Sequence, residues 1–402
     1  MNIKRLFYIF LCEYLIIFFV ISFLLYIVYI KLKYPFWNLQ PVFHEYDYLR
    51  HLQRKPFIVF KKVFSTKYLL ADQMKTFEYM QCDAKKIHKF IDFIQCNYIE
   101  QDNILTLSDK KTYHSYFSGQ KHPSYFSFYQ EVIQTPQYQN TIVLGCITSR
   151  CIYLTFENMK IPIYFIDYLC IHRSFKKDNK LISCRLIQSH EYNQRIQNPT
   201  IQVSLLKQEG NPYHGVIPLI KYKKLLFYLM DVTTVNALPQ FYTCIVIQKN
   251  NIDLLTDFIN RVTTIFRFTA MGDFANICSL ITNNELHVCC LCKGKHILAY
   301  YFFRNARKQY DHIGNTMEFI GSYNNTRSED LFYLGFLHSL HNISKSMNYK
   351  VLVFETISHN NLIIHRFIEF HTLISQHNVY YYLYNYIIPS SPLKENDCFF
   401  LM

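Results

Sequence analysis

The apolar and polar positions of this chain change period several times, and the first change is the largest. Leu6 to Ile30 is almost unbroken apolar and aromatic sequence. It is long enough to cross the ~30 Å hydrocarbon core of a bilayer as a helix, too long for a cleaved leader, and followed by no small-residue cleavage site. The pattern predicts a membrane anchor over residues 1–33. Lys4 and Arg5 on one flank balance Lys31 and Lys33 on the other, so flanking charge does not set its orientation. Tyr34 to Val42 follows with two prolines and the only tryptophan, Trp37. The prolines predict an extended segment presenting aromatic faces, of a kind also found at membrane interfaces.

Further on, Leu70, Met74, Phe77 and Met80, then Ile87, Phe90 and Ile91, recur at helical spacing and predict helices between Leu69 and Phe93. Thr141–Thr148, Arg150–Phe156 and Pro162–His172 read as strands, the last two joined by a hairpin at Glu157-Asn158-Met159-Lys160. The third is apolar on both faces except at Asp167, as in a strand buried on two sides, where an acid is costly. Arg173, Lys176, Lys177 and Lys180 come next, and Leu181, Ile182, Leu186 and Ile187 then take helical spacing. Cationic side chains and free backbone N–H groups thus converge at a helix N-terminus, a place to hold phosphate.

The second half repeats that order. Phe241–Gln248 reads as a strand, Ile252–Phe266 as a helix, Leu286–Leu291 and Ile297–Arg304 as a hairpin, and Glu318–Tyr323 as a strand. A helix over Ser328–Met347 opens on Ser328 with Glu329 and Asp330 in its first turn, and Lys350–Thr356 is again a strand. The expected architecture is α/β (α+β): two tandem lobes with mixed sheets flanked by helices, over residues 34–235 and 236–402, behind one transmembrane helix.

Composition narrows the chemistry. With 42 Lys+Arg against 29 Asp+Glu the chain carries +13, which favours polyanionic partners. The basic residues are spread without a nucleic-acid-binding signature, so a phosphorylated ligand or a membrane suits them better than nucleic acid. The 13 cysteines are odd in number and lack framework or zinc spacing. Cys289, Cys290 and Cys292 read as buried thiols in a reducing compartment, and no metal is expected. The apolar Phe399-Phe400-Leu401-Met402 predicts a terminus docked in the body, carrying its α-carboxylate inside.

Four separated pieces resemble one family, the glycylpeptide N-myristoyltransferases, in the same order along the chain. Tyr34, Phe36, Trp37, Gln40, Pro41 and Val42 resemble its F-W-x-T-Q-P-V segment, and Asn97-Tyr98-Ile99-Glu100 with Asp102 and Asn103 its N-Y-V-E-D-D-D-N loop. Leu169-Cys170-Ile171-His172 is similar to its F-L-C-V-H strand end, and Tyr381-Tyr382-Leu383-Tyr384-Asn385 to its Y-Y-L-Y-N strand. The likeness spans residues 34–402 and leaves out the transmembrane helix.

The resemblance implies two acetyltransferase-like lobes, the first binding myristoyl-CoA and the second helping to bind a peptide with N-terminal glycine. The backbone N–H groups of Tyr168 and Leu169 map to an oxyanion hole, and the carboxylate of Met402 to the base that takes a proton from the substrate ammonium. Tyr34, Phe36, Trp37, Leu169, Cys170 and Ile171, with Lys176, Lys177, Asn179, Lys180 and Leu181, map to the acyl-CoA site. Glu100, Asp102, Ser204 and Tyr382 map to the peptide side. Two departures stand out: Lys176-Lys177-Asp178-Asn179-Lys180-Leu181 replaces a serine-bearing R-S-K-R-L loop, and Asp167 replaces an asparagine near the attacking amine. The expected activity is glycylpeptide N-tetradecanoyl transfer by a single-pass membrane protein with its body in the cytosol. The alternative is a non-catalytic module that binds acyl-CoA or myristoylated protein at a membrane.

Overall fold

The computed structural model describes residues 3–70, 72–98, 104–106, 110–134, 139–229, 235–310 and 314–402. Its first element is a helix over Ile3–Lys33, apolar and long enough between Leu11 and Lys33 to cross a membrane by length and composition, and largely exposed. A signal sequence passes the same test. Helix Pro35–Leu39 then replaces the expected extended segment: Pro35 sits at the first helical turn, where its missing N–H has no partner to lose.

The body is organised on one mixed sheet, fifteen strands among the described residues. Strands Met74–Glu78, Tyr125–Gln134, Gln139–Phe156 and Met159–Ile171 form an antiparallel meander. Gln139–Phe156 runs without the break expected near Ser149, and Glu157 and Asn158 close the hairpin with positive φ. Residues Met74–Glu78 form a strand instead of the expected helix, while Ala84–Asn97 is helical, with the Asp83 side chain accepting Lys86 N–H at 2.7 Å. Short-range spacing alone does not separate a five-residue strand from a helical turn.

Ile220–Tyr228, which precedes the expected boundary at residue 236, pairs instead into the second half's run of Tyr349–Glu355, Gly314–Asn324, His296–Tyr310, Leu286–Lys293 and Tyr242–Ile247 in sheet order. Helix Glu329–Met347 starts at the expected place, the Ser328 hydroxyl accepting Leu331 N–H at 3.3 Å. The two halves also exchange strands. Ser375–Tyr384 lies between Ser204–Glu209 and Ile220–Tyr228, antiparallel to both. Cys398–Leu401 pairs in parallel with Phe268–Met271, which pairs in turn with Tyr153–Phe156 of the first half.

Behind the first-half sheet, helix Asn179–Gln197 buries a polar face that includes Gln188, Ser189, His190 and Glu191. His190 Nδ1 lies 2.7 Å from the Ser127 hydroxyl, and burial lowers its pKa to about 3. In the other half His287 lies 3.1 Å from the Tyr349 hydroxyl and is lowered to about 4, by burial first and by Arg307 second. Both imidazoles are neutral when folded and take up protons below their ordinary 6.5 when unfolded, so stability is full above 6.5 and falls with pH through that value. Urea unfolding followed at pH 7 and pH 5 should show a lower midpoint at pH 5, and His190→Gln with His287→Gln should flatten that difference.

Candidate active site

Strand Met159–Ile171 carries the centre of the site because its pairing fails on both sides at one place. It runs parallel to Ser204–Glu209 over only Tyr164–Ile166, after which the two strands part. On its other side Cys170 faces Cys146 and Asp167 faces Thr148, so Tyr168 and Leu169 together oppose the single residue Ile147. That is a β-bulge, and it turns main-chain groups out of the ladder. Tyr168 takes φ +47°, a left-handed conformation costing about 1–2 kcal/mol for a residue with a Cβ. Its N–H donates to the Asp167 carboxylate at 2.8 Å, which holds the turn.

Asp167 also accepts the Tyr116 hydroxyl at 2.8 Å. Burial, with a smaller contribution from Asp167, raises the Tyr116 phenol far above its ordinary 10, so it stays a donor. The Arg150 guanidinium, fully buried, stacks 4.0 Å over the Tyr116 ring and donates to Asn276 at 3.0 Å.

The parted strands open onto a cavity of about 700 Å³ between the halves. Asp167, Tyr168 and Leu169 line one wall, and Met402 lines the same cavity. The main-chain oxygen of Met402 accepts Arg304 Nη1 at 3.1 Å. Across the floor Lys224 Nζ reaches Glu209 at 2.9 Å, Glu318 at 2.8 Å and Glu355 at 3.7 Å. Arg304 pairs with Glu318 at 2.5 Å, and Lys207 with Glu209 at 2.9 Å. Burial pushes Glu318 up, but Arg304 and Lys224 outweigh it and hold the carboxyl well below 4.5. Lys224 is likewise held well above 10.5 against its burial, by Glu209, Glu318 and Glu355. Glu318 and Lys224 therefore stay ionised, and the cavity sets charged groups beside an apolar lining.

A second, apolar region adjoins the bulge. Leu169 and Ile171 pack against the cluster that holds Phe36 and Trp37, whereas Tyr168 and Cys170 belong to the cluster of Phe90 and Phe117. Trp37 lies 4.1 Å from the Tyr213 ring, and Tyr213 lies 4.7 Å from Tyr382. Tyr34 stacks on His214 at 4.9 Å, with Lys180 Nζ 5.8 Å above its ring. The 3₁₀ turn Arg173–Asp178 leads into Asn179, and His172 Nδ1 accepts Ser174 N–H at 3.3 Å. Asn97 closes the entrance, accepting Arg173 N–H at 3.1 Å. Lys176 and Lys177 lie in this turn; Leu181 is exposed.

The structure thus gathers Tyr34, Phe36, Trp37, Leu169, Ile171 and Lys180 around one region, and Asp167, Tyr168, Leu169 and Met402 around the cavity. Two expectations need correction. Ser204 is fully buried in its strand, where its hydroxyl accepts Gln194 Nε2 at 3.1 Å, and it does not line the cavity. Tyr382 is buried in the cluster against which Trp37 packs, its hydroxyl accepting Tyr213 N–H at 3.0 Å, and it does not line the cavity. Glu100 and Asp102 lie outside the described residues. Sequence reasoning missed Lys224, Arg304 and Glu318. Arg304 and Glu318 each carry the signal that exposed Asp167, an ionisable residue beside an apolar run. Lys224 is one of three lysines in Ile220–Tyr228 and is marked only by alternating with Ile220 and Tyr222 on the buried face. Among the described residues no group of three or more His, Cys, Asp or Glu is placed to hold a metal ion.

Removing one partner of a buried ion network strands the others. Glu318→Gln is expected to lower the unfolding free energy by about 3–5 kcal/mol at pH 7, measured by urea titration. The stabilisation from Glu318 is present above the ordinary 4.5 and is lost as pH falls through its lower folded value, so the difference from wild type should shrink in acid.

No protein-family model matches this sequence, and no curated protein matches it in sequence. Solved structures do match in fold. Saccharomyces cerevisiae N-myristoyltransferase with bound myristoyl-CoA superposes with a TM-score of 0.66 at 13% identity, covering 91% of this chain and 92% of that one. The same enzyme with bound myristoyl-CoA and inhibitors gives 0.65 at 13% identity, covering 92% and 96%. With its two halves, its exchanged strands and its parted parallel pair, this chain carries the tandem acetyltransferase-like fold of N-myristoyltransferase.

Proposed function

We propose that this chain is a membrane-anchored acyl-CoA N-acyltransferase that moves a myristoyl group from myristoyl-CoA to the N-terminal glycine amine of a peptide. One observation carries the reading: a single cavity is lined by the Tyr168–Leu169 bulge and by Met402. The acyl chain would lie along the apolar side of Leu169 and Ile171 beneath Phe36 and Trp37, with the CoA phosphates at Lys180 and the N-terminus of Asn179–Gln197. The superposing yeast enzyme structures hold bound myristoyl-CoA, which supports that donor. A glycine ammonium must lose a proton before it attacks, and the Met402 carboxylate would accept it. The free amine then adds to the thioester carbonyl and the N–H groups of the bulge receive the oxyanion; as the C–S bond breaks, the nitrogen gives up its second proton to the departing sulfur, so the amide forms and CoA leaves as the thiol. Asp167 would bind the incoming ammonium on the opposite wall. Residues 6–30 would hold the body at the cytosolic face, where acyl-CoA is made available.

A second reading, a non-catalytic acyl-CoA or myristoyl-protein binding module, is favoured by two contacts. Tyr168 N–H is already taken by Asp167, and the Met402 oxygen is held by Arg304. Both would have to give way during transfer.

Incubation of the full chain in detergent with labelled myristoyl-CoA and a Gly-initiated peptide separates the readings. Transfer of label to the peptide is expected; binding of myristoyl-CoA without transfer at any chain length supports the module. Residues added after Met402 should abolish turnover and leave acyl-CoA binding intact. Asp167→Asn should raise the KM for peptide by at least about tenfold, the effect of losing roughly 1.4 kcal/mol of charge pairing.

A further inference from the structure

Residues 45–55 have no role in the chemistry above, yet this segment begins fixed to the apolar helix. Tyr26 donates its hydroxyl to Glu45 at 2.5 Å, and Lys31 Nζ lies 5.0 Å over the Tyr46 ring. Ile30 packs against Gly215, where φ is +79° and an added Cβ would sit 2.6 Å from Ile30 Cγ2. Three contacts on successive turns fix the angle at which the helix meets the body.

Their depth matters. Residues 6–30, rising about 1.5 Å each, slightly exceed the ~30 Å of hydrocarbon, so the near boundary falls within the turn from Tyr26 to Ile30. Glu45 is therefore held at that boundary, and the residues just beyond it lie at headgroup level. They are unusual for a protein surface: Leu49 is 80% and Leu52 77% exposed. Arg50 is paired with Asp47 at 3.3 Å, which leaves Arg54 and Lys55, both exposed and without an ion pair among the described residues. Large apolar side chains next to unpaired cations are what an anionic bilayer surface accepts, the leucines entering the headgroup boundary and the cations meeting phosphate or carboxylate.

We propose that residues 45–55 form a second, peripheral membrane contact that seats the body flush on an anionic lipid surface. The contact rests on the reading of residues 6–30 as a membrane span. It sets the Tyr34, Trp37 and Lys180 region, which adjoins the foot of the same helix, beside the headgroups. An acyl donor would then be taken up from the membrane surface.

The test uses the full chain in lipid nanodiscs, with Trp37→Phe so that an introduced tryptophan is the sole reporter. Leu52→Trp should lose fluorescence to lipids brominated near the headgroup, more in discs containing phosphatidylserine than in neutral ones. Phe370→Trp, on a side chain 73% exposed at the end of helix Asn360–Phe370, serves as the control and should lose none. Arg54→Glu with Lys55→Glu should reduce the loss in anionic discs to the neutral value. If the protein floats with lipid but Leu52→Trp reports no more quenching than Phe370→Trp, the docking proposal falls while the anchor stands. A dimer that shields the Leu52→Trp probe from lipid would overturn it too, making the patch a contact between copies. Failure to float with lipid at all overturns the anchor and the docking together. Equal quenching in neutral and anionic discs removes the charged contact and overturns the proposal as stated.

Discussion

Lys224 sits among Glu209, Glu318 and Glu355, and these four side chains come from four different strands. Glu209 belongs to the strand that parts from Met159–Ile171, while the others line the second half of the sheet. The network therefore spans the seam between the halves at the floor of the cavity. Buried charges of this kind are costly to desolvate and stabilise only when all are paired. Their value lies in geometry: the cavity cannot close or slide without breaking ion pairs in a poorly solvated place. Arg304 extends the network to Met402, so the position of that residue is coupled to the same seam.

The local parts of this fold were legible because local physics decides them. Ser328 with Glu329 and Asp330 marks a helix start in any context, and Glu157-Asn158 between two β-branched and aromatic runs marks a hairpin. Pro35 was misleading because proline is a breaker inside a helix and a favoured residue at its first turn, and the sequence does not say which position it occupies. Nothing local indicates that Ser375–Tyr384 separates Ser204–Glu209 from Ile220–Tyr228, since strand pairing over such a distance is set by the whole sheet. Phe268–Met271 was missed for a related reason: four residues are too few for a period to register.

The site divides in the same way. Tyr168 and Leu169 were placed by family resemblance; the structure sets them in a bulge at the strand end, with Tyr168 left-handed and its N–H bonded to Asp167. Ser204 and Tyr382 carry polar groups but spend them on neighbours in the core, which residue identity cannot reveal. Arg304 and Glu318 could have been found from sequence had each charge beside an apolar run been weighed as Asp167 was, while Lys224 is hidden among Lys221 and Lys223 of its own strand.

The exchange of strands also bears on how the chain becomes itself. Ser204–Glu209 and Ile220–Tyr228 leave the ribosome long before Ser375–Tyr384, the strand that fills the gap between them, and Phe268–Met271 waits in the same way for Cys398–Leu401. Contacts of such sequence separation form slowly, and the open edges they leave are sticky in the meantime. Neither half can finish its sheet while the other is still being made. The cavity and both its walls thus come into being in one late step, so a product truncated before Ser375 would lack the chamber together with the apolar clusters that Tyr380, Tyr382, Phe399 and Phe400 complete.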